Sequence, residues 1–188
     1  KKEHETFWKY LWNEKEARKS VLRTHTTVLS AQTLANLKED DLPKKYFAIG
    51  RNYRNETLDW SHLFEFDQTE GIVIDKNLNF RHLFGYLKQF FSKMGYEKIR
   101  FRPGYFAYVE PGVEIDVYIP EKDEWVELGG AGIFRPEVVI PLMGEYTPVL
   151  AWGLGLGRII MPYYGFNDLR TFYKNDLKQL KEIKEWVK

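Results

Sequence analysis

Between residues 153 and 158 the chain reads Gly153-Leu154-Gly155-Leu156-Gly157-Arg158, and few folds can house that pattern. On a strand, leucines two positions apart point to one side, and the glycines leave bare backbone on the other. Bare backbone admits either a closely packed neighbour or a flat ligand, and the run alone does not separate the two. Arg158 follows where the chain leaves the strand, and its planar guanidinium can pair with phosphate or stack on a ring.

Such a run needs a sheet and a core around it. At 188 residues, with 44% hydrophobic and 16% aromatic residues, the chain is expected to form one globular domain spanning 1–188. No stretch of about 18 apolar residues occurs, so no membrane partner is expected. The polar start Lys1-Lys2-Glu3-His4-Glu5 lacks a signal-peptide pattern. The absence of cysteine excludes disulfides and thiolate metal sites, and a cytoplasmic location is expected. A net charge of +1 is low for a dedicated nucleic-acid binder, so any such contact should be local or shared with other chains. The chain opens on Lys1 without an initiator methionine, which is compatible with a piece of something longer.

Residues 1–20 are read as a helical flank, with Phe7, Trp8, Leu11 and Trp12 on an apolar face. Residues 28–38 read as a second helix, closed by Asp40, Asp41 and Pro43. Tyr46-Phe47-Ala48-Ile49-Gly50 reads as a buried strand, and Gly71-Ile72-Val73-Ile74 as the end of another, with a polar loop from Asn55 to Ser61 between them. The spacing of Phe80, Leu83, Phe84, Leu87, Phe91 and Met94 predicts a helix over 79–94, stopped at Gly95. Alternation then predicts strands at Ile99–Arg102, Val113–Ile119, Trp125–Leu128 and 147–152 onward. A charged helix is expected over 168–188, with Leu169, Tyr173, Leu177, Leu180 and Val187 on one side. This order indicates an α+β fold, an antiparallel sheet flanked by α-helices.

A second unusual stretch runs from Arg51 to Glu56 and continues to His62, Phe66, Gln68 and Glu70. Arg54, at a strand end facing a loop, can clamp a phosphate. Phe66, Gln68 and Glu70 share a strand face, because side chains repeat every second residue. An amide and a carboxylate on a strand that continues as Gly71-Ile72-Val73-Ile74 are costly unless they bind something. The plain alternative is a solvent-facing polar side of an antiparallel sheet.

Arg54-Asn55-Glu56 with His62-x-x-x-Phe66 resembles motif 2 of class II aminoacyl-tRNA synthetases, placed at about 46–74. The glycine run with Arg158 resembles their motif 3, at about 147–165. Further stretches are similar to the catalytic α subunit of phenylalanyl-tRNA synthetase in its archaeal form: Leu22–Thr27, His62–Gly71, Tyr105–Gly112, Glu127–Gly132 and Phe134–Glu137. The resemblance covers roughly residues 21–170. It implies activation of phenylalanine with ATP and Mg2+, transfer to tRNA(Phe), and a β subunit in an (αβ)2 hetero-oligomer.

By that resemblance, Arg54 would hold the α-phosphate and Phe66 and Arg158 would enclose the adenine. Glu56, His62 and Gly155 would contact the rest of the nucleotide, and Glu127 would bind magnesium together with phosphate oxygens. His25, Thr27, Gln68 and Glu70 would gather the ammonium and carboxylate of phenylalanine. Phe106 and Tyr108 would pack its ring, Val109 and Ala151 would wall it, and Gly129, Gly130 and Gly153 would leave room. On residue type alone, core packing is the preferred reading of Phe106 and Tyr108, and His25 reads as a hydrogen-bonded structural histidine.

Three departures stand out. No proline precedes Pro43, so nothing upstream of Arg23 resembles motif 1, which builds the class II dimer interface. No N-terminal tRNA-contacting extension is expected in this sequence, and Tyr108 stands where phenylalanine is common in the family. A synthetase-like paralogue that binds ATP or an adenylate for regulation or assembly, without charging tRNA, is the alternative reading.

Overall fold

The computed structural model describes residues 2–37 and 42–185. Among them, six strands form one antiparallel sheet: β1 (Lys44–Tyr53), β2 (Glu65–Ile74), β3 (Ile99–Pro103), β4 (Val109–Ile119), β5 (Glu124–Phe134) and β6 (Val149–Gly155). Their order across the sheet is β1-β2-β6-β5-β4-β3, so β6, which carries the glycine run, lies in the middle. The α+β expectation therefore holds.

One face is closed by α4 (Phe80–Lys93), an amphipathic helix whose Leu83, Leu87 and Phe91 are buried. They pack against Val113, Ile115, Val117, Leu128, Leu150 and Leu154, the inward positions of β4, β5 and β6. Asn79 caps the helix, and the His82 ring nitrogen accepts a hydrogen bond from the Asn79 backbone N–H. The opposite face is covered at one end only. There α3 (Thr27–Ala35) and α5 (Pro136–Met143) bury Leu34 and Val139 against Ile72, Ile74, Val149, Ala151 and Phe134. Further along the same strands the face stays open, and there the polar and glycine positions lie.

A bulge in β5 sets which residues reach that open face. Ile115 pairs with Gly129 while Asp116 pairs with Glu127, so Leu128 is an extra residue between them. Leu128 turns into the core, and the alternation restarts. A Cβ on Gly129 would stand 2.1 Å from the Gly153 carbonyl oxygen, so the close approach of β5 to β6 requires glycine. Beyond Glu127, buried Asp116 gathers Arg100 and Arg102 at 2.7 and 2.6 Å, closing the far edge of the sheet.

Several expectations need correction. The N-terminal flank is two short helices, α1 (Lys2–Trp8) and α2 (Glu14–Ala17), separated where Lys9 adopts φ 56°. Phe7 and Leu11, expected on its apolar face, are 72% and 87% exposed. The strand at 46–50 exists but is not buried: β1 is an edge strand, and Phe47 is 81% exposed. The charged helix expected over 168–188 is a 3-10 turn at Leu169–Tyr173 followed by α7 (Leu177–Glu182), with Leu177 and Leu180 exposed. Asn175, at φ 51°, breaks the path between them. Strand β6 stops at Gly155, and Leu156–Ile160 form the short helix α6, so Gly157 and Arg158 are helical. Helix α5 was not anticipated, and the expected closing residues Asp40 and Asp41, like Val187, lie outside the described residues.

Candidate active site

The open half of the sheet holds a cavity of about 310 Å³. Its floor is the backbone of β5 and β6 at Gly129, Gly130, Gly153 and Gly155, with Phe66, Gln68 and Glu70 from β2 beside it. Residues 55–62, between β1 and β2, supply Glu56, Ser61 and His62 at one end, and Phe106, Tyr108, Val109, Phe134 and Ala151 wall the other. Of the residues singled out from sequence, Thr27, Arg54, Glu127 and Arg158 also line it.

His25 stands one layer back. Its ring stacks on Tyr108 at 5.7 Å, and burial, with Arg54 nearby, lowers its pKa, which keeps it neutral around pH 7. Tyr108 in turn meets Phe106 and Phe134 at 6.3 Å each, so the aromatic wall is one packed set.

The two polar residues of β2 are held in fixed orientations. The Gln68 side-chain oxygen accepts hydrogen bonds from Asn52 Nδ2 and from the Thr26 backbone N–H at 3.4 Å. Its amide nitrogen is thereby turned toward Gly153, where a Cβ would stand 2.3 Å from it. Gln68 thus offers donors to the cavity. Glu70 is buried, and its carboxylate accepts from Thr27 Oγ1 at 3.0 Å and from Ser30 Oγ. Burial pushes its pKa up, while the Ser30, Thr26 and Thr27 hydroxyls pull it partly back. Thr26 and Asn52 lie in site stretches singled out from sequence but without a role there, and Ser30 lies in none. Each lies at least 16 residues from its partner, so no local pattern marks it.

At the other end, Arg158 bridges two walls. Its Nε donates to the Ser61 carbonyl and its Nη1 to the Glu127 carbonyl, both at 3.1 Å. Burial lowers its pKa, opposed by Glu127, Asp59 and Glu56; a guanidinium stays charged at neutral pH regardless. Arg54 donates Nε to the Thr24 carbonyl at 3.0 Å, and its guanidinium lies over the Phe66 ring at 5.0 Å. The Ser61 backbone N–H at 2.7 Å, joined by the His62 ring at 2.9 Å, holds Asp59 well below the usual carboxylate range. Leu169 and Tyr173 complete this end from the C-terminal segment, a contribution invisible in sequence.

Glu127 is exposed at the cavity, but no group of three or more His, Cys, Asp or Glu among the described residues forms a metal site by itself. One carboxylate fits a magnesium ion that takes its remaining ligands from phosphate and water.

The cavity thus joins an anionic and ring-lined recess to an arginine-lined one over bare glycine backbone. Prediction from this geometry is direct at Gly153. A methyl group there meets the Gln68 amide, a flexible group that can partly retreat. Gly153→Ala should weaken ligand binding at the Glu70 end by roughly tenfold, measurable by calorimetry, with the fold unchanged by circular dichroism.

An antiparallel sheet that seats its ligand on glycine backbone beneath a long hairpin loop is the architecture of class II aminoacyl-tRNA synthetases. This chain belongs to that family: the model of the tRNA synthetases class II core domain (F) matches residues 1–183. Two solved pyrrolysyl-tRNA synthetase structures from Desulfitobacterium hafniense share the fold. Their TM-scores are 0.58 and 0.57 at 21% and 22% identity, each over 79% of this chain and 52% of that one. Within the family, the chain is similar to archaeal phenylalanine–tRNA ligase α subunits. It is 49% identical over 185 residues to that of Methanocaldococcus jannaschii, covering 97% of this chain and 38% of that protein. The Methanospirillum hungatei subunit is 54% identical over 178 residues, 95% of this chain and 36% of that one. The chain therefore spans little more than a third of the length of these relatives.

Proposed function

We propose that this chain is the catalytic core of a phenylalanyl-tRNA synthetase α subunit, which activates phenylalanine with ATP and transfers it to tRNA(Phe). The observation that carries the reading is the continuity of the cavity. A buried carboxylate, oriented amide donors and an aromatic wall share one space with Arg54, Phe66 and Arg158.

In this reading Glu70 faces the ammonium of phenylalanine and the Gln68 amide donates to its carboxylate. Phe106 and Tyr108 hold the ring against Val109 and Ala151. The carboxylate oxygen attacks the α-phosphorus of ATP, forming phenylalanyl-adenylate and releasing pyrophosphate. The nucleophile is already ionised at neutral pH, so positioning suffices and no general base is required. Arg54 neutralises charge that builds on the α-phosphate, moving off the Phe66 ring face it now covers. Phe66 and Arg158 enclose the adenine, with Glu56, His62 and Gly155 around the rest of the nucleotide. Glu127 would hold magnesium, which supplies charge neutralisation to the phosphates. The terminal adenosine of tRNA(Phe) then attacks the carbonyl carbon, and AMP leaves. A β subunit and a cytoplasmic location accompany this reading, and residues 1–188 would be the core domain of the larger subunit.

Titration with a non-hydrolysable phenylalanyl-adenylate analogue tests it. Binding at least a hundredfold tighter than the lysyl analogue is expected. Equal affinity for the two would overturn the assignment of the aromatic recess.

A further inference from the structure

The loop over residues 55–62 is fastened to three separate parts of the molecule. The Trp60 carbonyl accepts from the Leu169 N–H at 2.9 Å. The Ser61 carbonyl accepts from Arg158 at 3.1 Å. Lys122 Nζ stands 4.0 Å from the centroid of the Trp60 ring. Within the loop, Asp59 accepts from the Ser61 and His62 backbone N–H groups, both at 2.7 Å, which closes residues 59–62 into a tight turn.

The third attachment differs in kind. Leu169 is buried, so core packing sets its position. Arg158 follows the central strand directly. Lys122 instead belongs to the 3-10 turn Pro120–Lys122 that joins β4 to β5. Two hydrogen bonds close that turn. Asp123 adopts φ 51°, its N–H donates to the Pro120 carbonyl at 3.2 Å, and the Tyr118 hydroxyl donates to the Asp123 carboxylate. A hydrogen-bonded turn therefore presents a cation to an indole that is 39% exposed. Trp60 does not line the cavity, but Ser61 and His62, the next two residues, do.

We propose that Lys122 and Trp60 form a latch, which holds the 55–62 loop down as the roof of the nucleotide end before ligand arrives. The cation over the indole face fixes Trp60, and Trp60 fixes the backbone that offers the Ser61 carbonyl to Arg158. Both are positioning residues that act through Ser61 and Arg158. An ammonium over a partly exposed indole is worth enough to bias a loop between closed and open states, and too little to support the fold. The consequence for ATP rests on the function proposed above; the order of the loop does not.

The test is amide hydrogen exchange over residues 55–62 in the ligand-free full-length protein. Lys122→Ala and Trp60→Ala should both speed exchange there, and Lys122→Arg, which keeps the cation, should restore protection. In phenylalanine-dependent pyrophosphate exchange, Lys122→Ala should raise the KM for ATP roughly two- to tenfold and leave that for phenylalanine unchanged. Unchanged loop exchange in Lys122→Ala overturns the latch, and so does failure of Lys122→Arg to rescue. An equal rise in both KM values overturns its link to the nucleotide end. If the wild-type protein showed no exchange activity, the function reading would fall, while hydrogen exchange would still decide the latch.

Discussion

Replacing Arg158 by alanine should remove nearly all phenylalanine-dependent adenylation, a loss of roughly 10²–10³-fold. Two effects combine. The guanidinium plane that would lie against the adenine is gone, and so is the brace between the Ser61 and Glu127 carbonyls. Arg158→Lys should recover little, because an ammonium has neither the plane nor the two-pronged donor geometry. Thermal unfolding separates this loss from a folding defect. Arg158 follows a core strand but carries its own side chain toward the cavity, so the midpoint should move by only a few degrees. Near-normal exchange in Arg158→Ala would remove the residue from the nucleotide site.

Glu70→Gln should raise the KM for phenylalanine by roughly a hundredfold or more while leaving that for ATP nearly unchanged. The substitution keeps the shape and one acceptor oxygen for the hydroxyls around it, and removes the charge that would face the ammonium. The pH dependence gives a second signature. Burial raises the Glu70 pKa in the folded protein above its value in the unfolded chain. The folded state therefore holds this proton more tightly, and ionising Glu70 costs stability as pH rises from the unfolded toward the folded value. Above that window the glutamine variant should be at least as stable as the parent. Below the raised pKa, phenylalanine binding by the parent should weaken as Glu70 takes up its proton. Glu70→Gln should lose that acid limb, and an unchanged limb would assign it to another group.

The parts of the fold that sequence made legible are those where one physical rule dominates. Helix α4 follows the spacing of Leu83, Leu87 and Phe91, and β4 follows the alternation of Val113, Ile115 and Val117. Where two rules compete, the reading fails. Tyr46–Ile49 looks like a buried run, yet a strand at a sheet edge has a neighbour on one side only, and Phe47 and Ile49 stay exposed. Apolar spacing in both terminal segments suggests long helices, but among the described residues no core surface buries Leu11 or Leu177. Helix α5 hides behind Pro136 and Pro141, residues usually taken as breakers, although Pro136 stands in the first turn where its missing N–H costs nothing.

The site divides in the same way. Phe66, Gln68 and Glu70 share one face of β2 because strands alternate, and that much is written in their spacing. What orients them is not. Asn52 and Thr26 set which end of the Gln68 amide meets the cavity, and Ser30 with Thr27 fixes Glu70, through contacts that span 16 to 43 residues. The glycine run likewise has a different shape from its sequence. Gly153 and Gly155 lie on the strand, whereas Gly157 packs against Leu169 within α6 and lets Arg158 turn back over the sheet.

The central claim, that one cavity activates phenylalanine at the expense of ATP, is tested most directly by isotope exchange between pyrophosphate and ATP. The protein, assembled with the β subunit proposed for it, should exchange label when phenylalanine and Mg2+ are present and should stop when phenylalanine is withheld. Folded, ATP-binding protein that gives no phenylalanine-dependent exchange would contradict the account.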